Sequence, residues 1–189
     1  MFKRLFLIPC LLLFAGSAFS QGIPVPEDLQ AHPGYIEFSS ISTQIDEEPN
    51  IEIFLKGPLL RLVAEASSIE DPDLARMLHK LEAIRVLAYD MDEVSSSSED
   101  QLLNIGRALS QEMTGANWEP VARIREDDER VYIYFKTLND SIQGLTVVAI
   151  DSRDEAVFVN IVGEINPEEV GRIGRKFNVD VLDDVTDYR

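Results

Sequence analysis

Residue types that could do chemistry are present in this 189-residue chain, but their spacing does not assemble a catalytic motif. Serine hydrolases of the α/β type present the nucleophile in a Gly-x-Ser-x-Gly turn, and the sequence contains no such turn. Only His32 and His79 could act as a base, the first in a proline-rich leader and the second beside the apolar stripe of a predicted helix. We therefore predict no catalytic residue and expect His79 to be a partly exposed structural histidine.

Metal binding would have to depend on carboxylates, because zinc needs three or four converging ligands and the two histidines are far apart. The segment Asp90-Met91-Asp92-Glu93 has the alternating acids of a calcium loop. The EF-hand pattern nevertheless fails at its positions five, six and twelve, which are Val94, Ser95 and Gln101. We predict no metal site and no cofactor, and leave open weak calcium binding by acidic loops such as residues 126–129.

The acidic residues also do not single out a hydrolytic pair. Glycoside hydrolysis needs two carboxyl groups at a fixed separation across a cleft, and 34 acidic residues offer no way to select two. The spacing Gly171-x-x-Gly174 falls within a predicted helix, so it indicates close packing and not a phosphate-binding loop. A carboxylate-dependent hydrolase remains an alternative, as does a carrier of small molecules or lipids.

Two tyrosines favour a binding surface. In the predicted strand 131–135, alternation turns Val131, Ile133 and Phe135 inward and leaves Tyr132 and Tyr134 on the opposite face. Tyrosine buries contact area at low entropic cost, so we predict an interaction surface at these two residues. The alternative is that a helix or another strand covers them. Trp118 is expected to be a core anchor.

The first twenty residues have the pattern of a secretory signal peptide. Lys3 and Arg4 form a basic region, residues 5–14 are apolar, and Ala18-Phe19-Ser20 is a small-residue cleavage site. We therefore expect export to the periplasm, with the mature chain beginning at Gln21 and no stable membrane anchor. The only cysteine, Cys10, would leave with this segment, which excludes disulfides and thiolate sites.

The charge of the chain limits its partners. The formal net charge is −17, and loss of Lys3 and Arg4 leaves 15 basic against 34 acidic residues, or −19. Nucleic acid and anionic membrane surfaces are bound through basic residues that displace counterions. We therefore predict no nucleic-acid partner, and leave solubility or a cationic partner as explanations of the charge.

Periodicity predicts alternating strands and helices in the first half of the domain. Strands are expected at Tyr35–Ile41, Ile51–Leu55 and Ile84–Tyr89. Helices are expected after Gly57-Pro58, with Leu59, Leu62, Val63 and Ala66 inward, and after the Asp71 cap, with Leu74, Met77, Leu78 and Leu81 inward. A third helix is capped by Ser98 and Gln101, buries Leu102, Ile105, Leu109 and Met113, and ends near Gly115.

The second half predicts a meander, because four strand-like runs are joined by short polar turns. The strands are expected at Pro120–Arg125, Arg130–Thr137, Ile142–Ile150 and Ala156–Gly163. A last helix from Asn166 would pack Val170, Ile173 and Phe177 on the sheet. We predict an α+β fold, an antiparallel β-meander sheet with helices packed mainly on one face. The expected organisation is a signal peptide at 1–20, an extended leader at 21–34, a single domain at 35–178 and an acidic tail at 179–189.

The chain resembles a bacterial family, the domain-of-unknown-function 4252 family. The resemblance rests on the runs Gly57–Leu62, Leu81 with Ile84–Val86, Val131–Lys136, Gly144–Ala149 and Val159–Pro167. It implies an exported protein and an envelope-stress context, with sigma factors and anti-sigma partners encoded nearby, and it offers no catalytic residues to carry over to this chain. Our leading hypothesis is a non-enzymatic binding or adaptor module that contacts an envelope protein through its sheet face or an edge strand. The favoured mechanism is edge-strand addition, with an exposed strand of the meander as the edge.

Overall fold

The computed structural model describes residues 24–38 and 48–166. Helices are α1 (Glu27–Gln30), α2 (Gly57–Ser67), α3 (Pro72–His79) and α4 (Ser96–Gly115); strands are β1 (Ile51–Lys56), β2 (Leu81–Asp90), β3 (Glu119–Arg125), β4 (Glu129–Leu138), β5 (Ser141–Asp151) and β6 (Glu155–Ile165). Within these residues no helix combines the length and apolar character needed to cross a membrane.

The six strands form one sheet in the order β1-β2-β6-β5-β4-β3, with every neighbouring pair antiparallel. The predicted meander is confirmed as β3 to β6, and β1 and β2 extend the same sheet, as expected. Short turns enforce this connectivity. Between β4 and β5, Asn139 and Asp140 have φ values of 51° and 61°, which are the positive angles of a primed hairpin turn. The α+β class is confirmed.

Helices cover both faces of the sheet, which differs from the expectation that they gather mainly on one. The cause lies in the strands, because Val131, Tyr132, Ile133 and Tyr134 are consecutive and all buried. A strand that buries residues of both parities needs cover on both sides. Tyr132 and Tyr134 share a core with α4, whereas Val131 and Ile133 share one with α2 and α3.

Helix α4 packs on the face that carries Tyr89, Tyr132, Tyr134 and Phe158, which we call the α4 face. Its four inward residues are those predicted: Leu102, Ile105, Leu109 and Met113 are each 4% exposed or less. The N-cap is Ser95, whose hydroxyl accepts a hydrogen bond from the Ser98 amide at 3.4 Å. The helix therefore begins before the predicted Ser98 cap. Trp118 is buried in the same core, as expected.

Helices α2 and α3 pack on the opposite face. The predicted Asp71 cap of α3 is confirmed, because its side chain accepts the Leu74 amide at 3.1 Å. The predicted inward face of α2 is wrong. Leu60 and Ala64 are fully buried, whereas Leu59, Leu62 and Val63 are exposed. The helix has apolar residues on two flanks, and the flank centred on Leu60 is the one that meets the sheet.

The N-terminal segment, residues 24–38, is part of the core. Residues 21–34 were expected to be an extended leader, but α1 lies within them. Residues 35–38, expected to start a strand, form no ladder and instead cross the α4 face, where Phe38 is fully buried. Several predictions lie outside the described residues. They are residues 39–41 of that predicted strand, the part of the last predicted helix beyond Asn166 with Val170, Ile173 and Phe177, the tail and the signal peptide.

Asn160, which is 1% exposed, anchors the N-terminal segment to the sheet. Its Oδ1 accepts the Ile36 amide at 3.0 Å, and its Nδ2 donates to the Gly34 carbonyl at 3.0 Å. The same amide nitrogen lies 3.1 Å from the Thr146 hydroxyl of β5 and 3.4 Å from the Leu145 carbonyl. One side chain therefore satisfies buried polar groups from two separate parts of the chain.

Two glycines allow the N-terminal segment to pass close to β5. A Cβ on Gly144 would lie 2.6 Å from the Cα of Gly34 and 2.9 Å from the Trp118 ring. A Cβ on Gly34 would lie 1.9 Å from the Gln143 carbonyl oxygen. Since backbone atoms form most of these contacts, a side chain could be accepted only by moving one segment away from the other.

Asn160→Leu is expected to lower the free energy of unfolding by about 2–4 kcal/mol, because it leaves the Ile36 amide and the Gly34 carbonyl buried without partners. Urea denaturation followed by circular dichroism measures the effect. Asn104→Leu, on the exposed side of α4, is the control and should change stability by less than about 0.5 kcal/mol. Equal effects of the two variants would show that the Asn160 hydrogen bonds do not hold the fold.

Gly144→Ala is expected to destabilise the protein by about 1–3 kcal/mol, because the added methyl overlaps the Gly34 backbone. Gly115→Ala is the matched control, since a Cβ there meets nothing within 4 Å. The control should be neutral or stabilising by up to about 1 kcal/mol, because alanine favours a helix over glycine. The thermal unfolding midpoints of the two variants are compared. A midpoint for Gly115→Ala below that for Gly144→Ala would contradict the role of the close approach at Gly144.

Candidate interaction surface

Tyr132 and Tyr134 do not form an open surface, so the predicted interaction site is corrected. Their exposed fractions are 5% and 0%, because α4 covers the face on which they lie. The Tyr134 hydroxyl is hydrogen-bonded to Ser110 of α4 at 2.5 Å. Alternation along β4 was predicted correctly, but both of its faces are packed. Neither tyrosine can contact a partner while α4 is in place.

The acidic loop at residues 90–93 is explained by local structure. The Asp92 amide donates to Asp90 Oδ1 at 2.9 Å, and Met91 is buried in the core. Asn50 links this loop to β1, since its Oδ1 accepts the Asp90 amide at 2.8 Å and its Nδ2 donates to Glu93 at 2.6 Å. In the part of the chain that the structure describes, no three His, Cys, Asp or Glu side chains are grouped to hold a metal ion.

Two of the clefts on the surface of the described residues bear on small-molecule binding, and the larger is lined by charged side chains alone, unlike the mostly apolar walls typical of such a site. The larger, of about 490 Å³, lies at the β3–β4 turn and is lined by residues 126–129 with Asp151 and Arg153. Arg153 forms an ion pair of 2.5 Å with Asp128, so part of the acidic charge is neutralised within the cleft. The smaller, of about 270 Å³, contains His32.

His32 stabilises the turn of the N-terminal segment through a hydrogen bond to Gly34. Its Nδ1 accepts the Gly34 amide at 3.1 Å, a bond that requires this nitrogen to carry no proton. Burial lowers the pKa of His32 below its ordinary value of 6.5, and the charge of Glu82 opposes this by raising it. His79, by contrast, is exposed on α3, with its Nε2 3.5 Å from Glu65 Oε1 of α2. The two histidines lie on different elements and share no site.

Arg85 forms a second connection between the N-terminal segment and the sheet. It is 6% exposed, and its guanidinium lies 3.7 Å from Glu37 Oε1 and 3.5 Å from Glu52 Oε1. Its central carbon lies 5.7 Å from the centroid of the Phe54 ring. Tyr35 donates to Glu37 at 2.9 Å, and burial together with this bond raises the pKa of Tyr35 to about 12. The arginine thus balances carboxylates from two elements.

The two edges of the sheet differ in their protection against pairing with another strand. The meander edge, β3, contains Pro120 and a register shift between Pro120 and Ala122. Proline and bulges are devices that protect edge strands. The other edge, β1, pairs with β2 in unbroken register over six residues and contains no proline. Within the described residues, β1 is therefore the edge more open to strand addition.

Exposed apolar side chains accompany this open edge. Ile51 and Ile53 of β1 and Leu59, Leu62 and Val63 of α2 are between 38% and 64% exposed. Leu55, on the same side of β1 as the two isoleucines, packs in the core beneath α2. The isoleucines are therefore on the α2 side of the sheet. We call these five residues the β1–α2 surface.

The orientation of α2 directs Leu59 and Val63 away from α3. Glu65 contacts His79 of α3, so the flank that carries Glu65 faces α3. At 100° per residue, Leu59 and Val63 lie about 120° and 160° around the helix axis from Glu65. Their flank is consequently the outer one. Apolar residues on an exposed helix flank next to an open strand are typical of an interaction site.

The sequence contains the signal for this surface, in a pattern that is also typical of a buried helix face. Leu59, Leu62, Val63 and Ala66 follow the i, i+3, i+4, i+7 spacing of a buried stripe. The neighbouring pair Leu60 and Ala64 offers a second inward flank, and tertiary packing selects that one. An apolar stripe left over after the core flank has been assigned is the sign that could have identified the surface.

A family model described as "Domain of unknown function (DUF4252)" matches residues 46–173, most of the chain. The match agrees with the resemblance drawn from the sequence. It begins after the N-terminal segment, so the residues that bind Asn160 from that segment lie outside it. The comparisons with curated proteins and with solved structures give no match.

The His32 imidazole is expected to titrate below pH 6.5, because burial disfavours its charged form. Glu82→Gln should lower the midpoint further, since the Glu82 charge raises this pKa. Histidine-detected NMR titration measures both, with His79→Gln to assign the two signals. With the folded-state pKa below the unfolded one, the stabilising contribution is present above pH 6.5 and is lost as pH falls through the folded-state pKa. A midpoint above 6.5, or an upward shift in Glu82→Gln, would contradict this.

Proposed function

This chain belongs to the DUF4252 family, and we propose that it is a protein-binding module whose partner docks on the β1–α2 surface. The observation that carries the proposal is the coincidence of an edge strand without proline or bulge with exposed apolar side chains on the adjoining helix. Both sheet faces are occupied by core packing in the described residues, whereas this edge presents both backbone hydrogen-bonding groups and apolar anchors.

The mechanism is β-strand addition. An extended partner segment pairs with the outer side of β1. The backbone groups of the partner form hydrogen bonds with β1 amides and carbonyls that otherwise bind water. Ile51 and Ile53 contact alternate side chains of the incoming strand on the α2 side of the sheet. Leu59, Leu62 and Val63 then extend the apolar contact beyond the strand, which supplies affinity and selects the partner. This assigns strand addition to β1, and not to the meander strand expected from the sequence.

The partner belongs to the cell envelope in this proposal. The signal-peptide pattern of residues 1–20 supports export to the periplasm, and the family resemblance supports an envelope-stress context with an adaptor or signalling role. Fractionation with intact-mass measurement checks the first step. The protein is expected in the periplasmic fraction with a mass that begins at Gln21, and a cytoplasmic full-length chain would contradict export.

Leu62→Glu combined with Ile53→Glu is expected to abolish crosslinking to the partner in living cells, because two charges would enter an apolar contact. Both side chains are exposed, so the free energy of unfolding should change by less than about 0.5 kcal/mol per site. Crosslinking of the tagged protein followed by mass spectrometry identifies the partner, and denaturation of the purified variant checks its stability.

Leu138→Glu is the matched control, because Leu138 is 47% exposed but lies on β4, which β2, β6 and β5 separate from β1. The control should keep the wild-type crosslinks. Loss of crosslinks in the control to the same extent, or their persistence in the double variant, would contradict the assignment of the surface. The absence of any crosslinked protein with the wild type would contradict the proposed function itself.

A further inference from the structure

We infer that one partner of the β1–α2 surface is a second copy of the same chain, paired through antiparallel β1 strands. The inference rests on the proposed function, since it names an occupant of the same surface. It joins two six-stranded sheets into one across a twofold axis. A second copy is favoured as the partner by the charges of β1. Its two charged residues, Glu52 and Lys56, are opposite in sign and lie on one side of the strand.

The charges fix the register of the pair. When β1 pairs with itself about a twofold axis, residues opposite each other must share a sheet face, so the axis passes through a residue. An axis at Phe54 places Glu52 opposite Lys56 of the second copy, and does so twice. It also places Ile53 opposite Leu55 of the second copy. Opposite charges directly across two strands stabilise their pairing.

The neighbouring register loses this complementarity. An axis at Ile53 would place Glu52 opposite Phe54 of the second copy and Lys56 opposite Asn50. Charge would then face an aromatic ring on one side and an amide on the other. The register about Phe54 is therefore favoured over the register about Ile53. The two registers place different residues directly opposite each other, so crosslinking can distinguish them.

The helices reinforce the same arrangement. A twofold axis perpendicular to the sheet keeps each face on its own side, so the two α2 helices lie on one face of the combined sheet. The outer flank of each helix, with Leu59 and Val63, then faces the axis. Exposed apolar residues from both copies converge next to Ile53. This self-complementarity is what an isologous interface requires, and a single extended peptide would leave much of the helix flank uncovered.

Sedimentation of the purified mature protein over a concentration series tests for the dimer, at about 0.15 M salt so that the net charge of each copy (15 basic against 34 acidic residues, −19) is screened. The wild type is expected to show a concentration-dependent dimer. Lys56→Glu should weaken the dimer at least about tenfold, since it creates two like-charge pairs per interface. Adding Glu52→Gln to Lys56→Glu should restore part of the affinity.

Arg125→Glu makes the same change of charge on the exposed opposite edge and is the control. It should leave the dimer within about twofold of the wild type. A monomer at every concentration would overturn the inference, as would equal effects of Lys56→Glu and Arg125→Glu.

Disulfide trapping tests the register in the mature chain from Gln21, which has no cysteine of its own. Phe54→Cys should crosslink to itself on mild oxidation, because the two positions are directly opposite. Ile53→Cys is the matched variant and should crosslink far less. The reverse order would overturn the proposed register.

The two proposals fail separately. A monomeric purified protein that still crosslinks to an envelope protein through the β1–α2 surface would overturn the dimer and support the proposed function. A dimer in solution together with no other crosslinked protein in cells would support the dimer and overturn the proposed envelope partner.

Discussion

The amide of Asn160 is the polar contact on which the arrangement of the structure depends. A buried amide is tolerated only when its donors and acceptor are satisfied, and here its partners are backbone groups at Gly34 and Ile36 together with Thr146 of β5. The contact holds the N-terminal segment across the middle of the sheet. Phe38 is thereby placed against Phe158, with ring centroids 6.3 Å apart. The segment completes a core that α4 alone does not cover.

This closure decides where the protein can bind. With the N-terminal segment and α4 on one face and α2 with α3 on the other, binding through the tyrosines of β4 would require the core to open. Proline and a bulge protect β3, which leaves β1 as the edge for backbone pairing. The exposed flank of α2 adjoins that edge because α2 follows β1 directly in the chain. The binding surface is thus a consequence of how the core is closed.

The sequence predicted the parts of this fold that local rules determine. Short polar turns between apolar runs gave the meander, the spacing of Leu102, Ile105, Leu109 and Met113 gave the buried side of α4, and Asp71-Pro72 gave the start of α3. Each of these depends on residues within one or two turns of each other. Local signals of this kind are strong because they act before tertiary packing is formed.

The parts that were missed depend on contacts distant in sequence. Alternation along β4 separates Tyr132 from Ile133 but cannot tell which side a helix covers when both sides are apolar. In α2, Leu59 and Leu60 each begin an apolar flank, and only the position of the sheet decides between them. The Asn160 contact joins residues 124 and 126 apart, and an asparagine within a strand-like run gives no sign of it. The β1–α2 surface was missed for the same reason.

Native-state hydrogen exchange at the Ile36 amide tests the central claim most directly, because this amide donates to Asn160. If the N-terminal segment closes the core, the amide exchanges only through global unfolding, and its free energy of opening equals that of the whole domain. Exchange through a local opening of much lower free energy, shared by residues 34–38, would contradict the account. The α4 face would then open without unfolding, and Tyr132 and Tyr134 would again be available to a partner.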